Sequence, residues 1–125
     1  MKLHLRMKLL MTICFVGALS FMSSAQNQNT QAQTHIYFTQ CLFDIQDEQE
    51  MLQLEEQLRL IPETDMVRLD WHTQRALITT LWIDELSEDR VREWFGSYAD
   101  GLSCLQVGIY GQDPVQPYPF TNCQN

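Results

Sequence analysis

The chain predicts an α+β fold with six elements in the order strand, helix, strand, strand, helix, strand. Two observations lead to this prediction. Short runs rich in β-branched and aromatic residues alternate with stretches in which apolar residues recur at helical spacing. All six elements fall within residues 34–112. Because no linker or repeat divides this stretch, a single domain is expected.

The four predicted strands differ in their burial patterns. Strand one, residues 35–39, mixes aromatic and β-branched side chains. Strand two, residues 66–71, alternates apolar and polar residues and is expected to be half-buried. Strand three, residues 76–84, is apolar on both faces, and strand four, residues 104–110, alternates again.

Both predicted helices begin at a capping residue. Asp47 begins the first, residues 47–60, with Glu50 three residues later as in a capping box, and Pro62 prevents its continuation. Ser87 begins the second, and Gly101 is expected to end it in a left-handed conformation. The predicted buried stripes are Met51, Leu54 and Leu58, then Val91, Trp94, Phe95 and Tyr98.

Right-handed crossovers place both helices on one face of a four-stranded antiparallel sheet. This arrangement predicts a ferredoxin-like βαββαβ sandwich with strand order 4-1-3-2. We expect Ile36 and Phe38 to face the helices and Cys41 to face away. Aromatic residues on the open face would form a partner surface, unless the leader or tail covers them. The residues assigned to that face are Tyr37, Ile78, Trp82 and Tyr110.

Residues 1–25 predict a secretory signal peptide. Lys2, Arg6 and Lys8 precede an uncharged apolar run, and Ser23-Ser24-Ala25 supplies small residues for cleavage. The run is shorter than the about 20 residues that cross a membrane, so an exported chain, periplasmic or secreted, is expected. An uncleaved anchor is the alternative.

After cleavage the chain is strongly acidic. The segment removed holds three of the eight basic residues and none of the 16 acidic ones, so five bases remain and the net charge is −11. That charge disfavours nucleic acid and anionic membranes and is compatible with cations or a basic partner. Its ordinary role is solubility. Residues 26–33 are interpreted as a flexible polar leader, and residues 113–125 as an irregular tail with three prolines.

Three cysteines remain in the exported chain: Cys41, Cys104 and Cys123. Strands one and four are antiparallel neighbours in the predicted topology, which brings Cys41 and Cys104 to one end of the sheet within disulfide reach. A Cys104–Cys123 bridge is the alternative, because the tail is long enough to fold back along strand four. Spacing alone leaves both pairings open.

The loop after strand one reads Thr39-Gln40-Cys41-Leu42-Phe43-Asp44. With the βαββαβ order of residues 34–112, it resembles the heavy-metal-associated domain, whose loop reads T-x-C-x-x-C. Cys41 stands for the first ligand cysteine, and Asp44 stands where the second would be. The resemblance implies a small exported binding module for copper or zinc.

His72 and Cys104 are expected at the same end of the sheet as Cys41. The candidate metal ligands are therefore Cys41, Cys104 and His72, since thiolate and imidazole suit zinc or copper. The alternative is a metal-free protein-interaction module of the same fold, stabilised by a disulfide.

Sequence motifs of catalysis are missing from the chain. It has no phosphate-binding glycine loop, nucleophile elbow or zincin motif. The acidic clusters at residues 44–50 and 84–89 stand at helix starts, where the helix dipole favours them. The prediction is a protein that is not an enzyme and has no catalytic residues.

Overall fold

Strands and helices follow one another in the predicted order. The computed structural model describes residues 32–121 and 123, so the predicted signal peptide and most of the predicted leader lie outside the described residues. Within the described part, no helix has the length and apolar character needed to cross a membrane. The elements are β1 (His35–Leu42), α1 (Glu48–Arg59), β2 (Thr64–Asp70), β3 (Arg75–Ile83), α2 (Glu88–Phe95), a 3₁₀ helix (Gly96–Gly101) and β4 (Ser103–Ile109).

All neighbouring strands pair antiparallel, in the order β2-β3-β1-β4. Counted from the β4 side, this order reads 4-1-3-2. The predicted α+β class, with a four-stranded antiparallel sheet and two helices, is confirmed. Because β1 and β3 are central, β2 and β4 are the two edge strands.

The helix starts agree with the capping residues, whereas the end of α2 differs from the prediction. Asp47 accepts a hydrogen bond from the Gln49 N–H, and Ser87 accepts one from the Arg90 N–H. The chain leaves α2 at Gly96, whose φ is +54°, and continues as a 3₁₀ helix. Gly101 does not adopt the predicted left-handed conformation, because the earlier glycine already supplies it.

Both helices pack on the same face of the sheet, here called the inner face. Met51, Leu54 and Leu58 of α1 meet Val91 and Phe95 of α2 over the sheet. The strands contribute Cys41, Val67, Ala76 and Ile78 to this core. Burial of this apolar cluster stabilises the fold by removing its surface from water.

The prediction of which β1 side chains face the helices is wrong. Cys41 belongs to the inner core and Tyr37 packs against it, so Phe38, at the intervening parity, lies on the opposite, outer face. Phe38 is nevertheless fully buried. A Cβ at Gly108, its partner on β4, would lie 2.7 Å from the Phe38 ring and 2.9 Å from Asp113 Cβ. Phe38 therefore packs against a glycine and beneath the tail.

The C-terminal tail crosses the outer face of the sheet. The Gln40 side chain donates to the Gln116 carbonyl (3.0 Å) and accepts from the Gln116 N–H (2.8 Å). The Arg75 guanidinium lies 5.0 Å from the centre of the Tyr118 ring. The described tail residues, 113–121 and 123, form no helix or strand, and these contacts hold the tail over β1.

Candidate functional site

A disulfide joins Cys104 at the start of β4 to Cys123 in the tail, with Cα atoms 4.4 Å apart. The predicted Cys41–Cys104 pairing is wrong, since Cys41 is a free, buried thiol. The two residues come from neighbouring strands but point to opposite faces. Cys41 faces the helices, and the chain at Cys104 has a φ of +54° where the β1–β4 register shifts. This local bulge aims Cys104 at the tail.

Cys41 lies in an apolar environment that keeps its thiol protonated. Burial raises the pKa of Cys41 from its ordinary 9.0 to about 12, and the positive charge of Arg92 offsets only part of this effect. Since the thiolate is the nucleophile and the metal-binding form, the protonated Cys41 thiol is unreactive near neutral pH.

We expect this thiol to make the fold less stable in alkaline solution. Above pH 9 the unfolded chain releases the Cys41 proton while the folded chain retains it up to about pH 12. The free energy of unfolding is therefore unaffected by Cys41 below pH 9 and falls by up to about 1.4 kcal/mol per pH unit above it. Urea unfolding over an alkaline pH series measures this slope. The slope should be shallower in Cys41→Ala, and equal slopes in the two proteins would contradict the assignment.

The three predicted metal ligands are not assembled into a site. Cys104 is occupied by its disulfide, Cys41 is buried under the helices, and His72 is exposed in the β2–β3 turn. Hydrogen bonds to Asp70 shape that turn, and the one from Thr73 lowers the pKa of Asp70. Among residues 32–121 and 123, no group of three His, Cys, Asp or Glu side chains could hold a metal ion.

The predicted aromatic face is corrected in the same way. Tyr37 and Ile78 lie on the inner face with the core. Trp82 and Tyr110 remain exposed. The register pairs Trp82 with Ile36, and the Tyr110 N–H donates to the Ile36 carbonyl. Trp82, Ile36 and Tyr110 therefore form a row across three strands of the outer face, at the end of the sheet away from Cys104.

The two edges of the sheet differ in how their backbone is covered. On β2, the Val67 carbonyl accepts a hydrogen bond from Arg59 (3.4 Å) and the Leu69 N–H donates to Glu55 (2.9 Å). Glu55 and Arg59 are one turn apart on α1 and form an ion pair of 2.6 Å. Side chains of α1 thus occupy two of the backbone groups through which β2 would otherwise pair with another strand.

On β4, tail residue Asp113 covers the backbone at the end of the strand. Asp113 bonds both backbone groups of Ile109, through its side chain to the N–H (2.6 Å) and through its own N–H to the carbonyl (2.9 Å). Tyr110 bonds to β1, so by alternation Val107 directs its N–H and C=O away from the sheet. Within the described part of the chain, neither group of Val107 has a hydrogen-bond partner.

A cleft of about 730 Å³ adjoins the first half of β4. Glu88 and Arg92 of α2 line it, together with Phe120 and the disulfide. Leu105 and Gln106 of β4 belong to the same lining. We call the outward backbone of Val107 together with this cleft the β4 edge. Sequence reasoning missed it, although β4 carries no charged side chain, and a charged residue is one means of blocking an exposed edge.

Comparison with protein-family models, with curated proteins and with solved structures finds no match to this chain.

Proposed function

We propose that the chain is an exported, metal-free protein-binding module of ferredoxin-like fold that binds an extended segment of another protein along the β4 edge. The disulfide supports the compartment, because such bonds persist outside the reducing cytoplasm. It also supports the absence of a metal site, because Cys104 then has no thiolate to offer.

One observation leads to strand addition as the binding mode. Two outward backbone groups of β2, the Val67 C=O and the Leu69 N–H, are bonded to α1 side chains, whereas the Val107 N–H and C=O on β4 are open and lie next to a cleft. In strand addition, backbone hydrogen bonds supply affinity and neighbouring pockets select side chains. The β4 edge offers both parts.

Charge favours a different protein over a second copy as the occupant. The described residues contain all 16 acidic side chains of the chain. The only bases opposing them are Arg59, Arg68, Arg75, Arg90 and Arg92. Two such acidic molecules repel each other, while a neutral or basic segment is attracted.

Val107→Pro tests the proposal with little change to the sheet. The proline removes an N–H that points away from β1, so the ladder is kept, as at other edge-strand prolines. We expect peptides selected from an unbiased unstructured library on the oxidised protein to perturb the amide NMR signals of β4. We also expect their affinity to fall about tenfold or more in Val107→Pro, since a buried carbonyl of the peptide loses its donor.

Val107→Ala is the matched control, because it shortens the same side chain and retains the N–H. Its affinity should stay close to that of the unaltered chain. A library that yields no binder, binders that map elsewhere, or equal losses in the two variants would each contradict strand addition. Stoichiometric copper or zinc in the oxidised protein, measured by elemental analysis, would instead favour the metal-binding alternative.

A further inference from the structure

A second cleft, of about 490 Å³, lies at the end of the sheet away from the disulfide. Trp82 and Ile83 from the end of β3 line it, together with acidic residues of the following loop. We call it the Trp82 cleft and define it by Glu63, Trp82, Asp84, Glu85 and Arg90.

Trp82 presents most of its indole to solvent. Its side chain is 68% exposed, and Tyr110 beyond Ile36 is 58% exposed. The tail covers Phe38 and Gln40 on the outer face but leaves this row uncovered. A large aromatic side chain left in water at the rim of a cleft is a feature of binding surfaces.

The charges around Trp82 are mostly negative. Three carboxylates face a single guanidinium in the cleft. Arg90 forms an ion pair with Glu63, so Asp84 and Glu85 have no ion-pair partner within residues 32–121 and 123. Both are exposed.

We infer that the Trp82 cleft receives an arginine or lysine side chain of a protein partner. A cation over the face of an indole is attracted by the ring quadrupole, and tryptophan is the strongest aromatic partner. Asp84 and Glu85 supply the compensating charge at the rim. A second copy of this acidic chain is a poor source of that cation.

This inference rests on the proposed function only in taking the occupant to be a protein. The Trp82 cleft and the cleft of the β4 edge lie at opposite ends of the sheet, because Ile36 pairs with Trp82 and Leu42 pairs with Ser103. The two surfaces can therefore be tested separately.

The test uses a short blocked peptide with two arginines separated by glycine as the probe. Titration should shift the indole N–H signal of Trp82, one of three tryptophan indoles in the NMR spectrum. Trp82→Leu keeps an apolar side chain and should weaken binding about fivefold, the size of an exposed cation–π contact. Asp84→Asn with Glu85→Gln should weaken it similarly at low salt.

Glu48→Gln with Glu50→Gln is the matched control, since it removes the same charge from exposed residues at the start of α1. That variant should bind the probe almost normally. An unmoved Trp82 signal, or an equal loss in the control, would overturn the inference. Val107→Pro should leave probe binding intact, so failure of the β4 edge alone would count against strand addition and not against the Trp82 cleft.

Discussion

Phe38→Ala is expected to lower the free energy of unfolding by about 3–5 kcal/mol, the usual cost of removing a buried phenylalanine. The ring is fully buried although it lies on the outer face. It fills the space above Gly108, where even one added carbon would lie 2.7 Å from the ring. Removing it leaves a cavity beneath the tail that neither the glycine nor Asp113 can fill.

Equilibrium urea unfolding of the oxidised protein measures this loss. Leu60→Ala is the control, because Leu60 is 81% exposed and its truncation should change stability by less than about 0.5 kcal/mol. A Phe38→Ala variant within about 1 kcal/mol of the unaltered chain would show that the tail does not pack on the outer face. Amide exchange of Gln116, whose N–H donates to Gln40, reports on the same contact independently.

Burial of Phe38 also limits where a partner can bind. With the tail held over β1, the outer face near Gln40 is not free, and the two candidate binding surfaces lie elsewhere. One is the β4 edge, which offers backbone hydrogen bonds. The other is the Trp82 cleft, which offers an aromatic ring and negative charge. The two surfaces are therefore separate and chemically distinct.

Local sequence patterns were sufficient for the elements and their order. Asp47 and Ser87 begin helices because their side chains accept backbone N–H groups that have no partner within the helix. The helical spacing of Met51, Leu54 and Leu58 predicts their burial, which is observed. These features depend on residues close in sequence, so one chain suffices to predict them.

The sequence alone could not predict which side chains of β1 meet the helices, because both faces of this strand are apolar. Ile36 and Phe38 alternate with Tyr37 and Cys41, and either pair could meet the helices. The choice depends on the tail, which gives Phe38 a second layer to pack against. The predicted Cys41–Cys104 disulfide was wrong for the same reason. With the faces of β1 exchanged, Cys41 lies on the opposite face from Cys104.

The candidate sites depend on contacts between distant segments. The β2 edge is partly closed by Glu55 and Arg59, which belong to a helix, and nothing within β2 indicates this. The β4 edge is identified as a candidate site by comparison with the β2 edge. Trp82 was correctly placed on an open face, but its acidic surroundings combine residues from β3, from the next loop and from the turn before β2.

Reducing the Cys104–Cys123 disulfide is expected to lower the free energy of unfolding by about 3 kcal/mol. The bond closes a loop over a sequence separation of 19 residues, and the chain-entropy estimate for a loop of that length is about 3 kcal/mol. Without it, the tail is held by the Gln40–Gln116 hydrogen bonds and by Tyr118 over Arg75, which are individually weak. Urea unfolding with and without reductant measures the effect.

Cys123→Ser separates the disulfide from other consequences of reduction. This variant should match the reduced protein, and adding reductant to it should change nothing further, since Cys104 has lost its partner and Cys41 is already free. Because Phe38 and the disulfide both secure the tail, combining Phe38→Ala with Cys123→Ser should cost less than the sum of the two separate losses. Additive losses would mean that the tail is anchored independently at each point, and a loss below about 1 kcal/mol on reduction would mean that the bond does not constrain the fold.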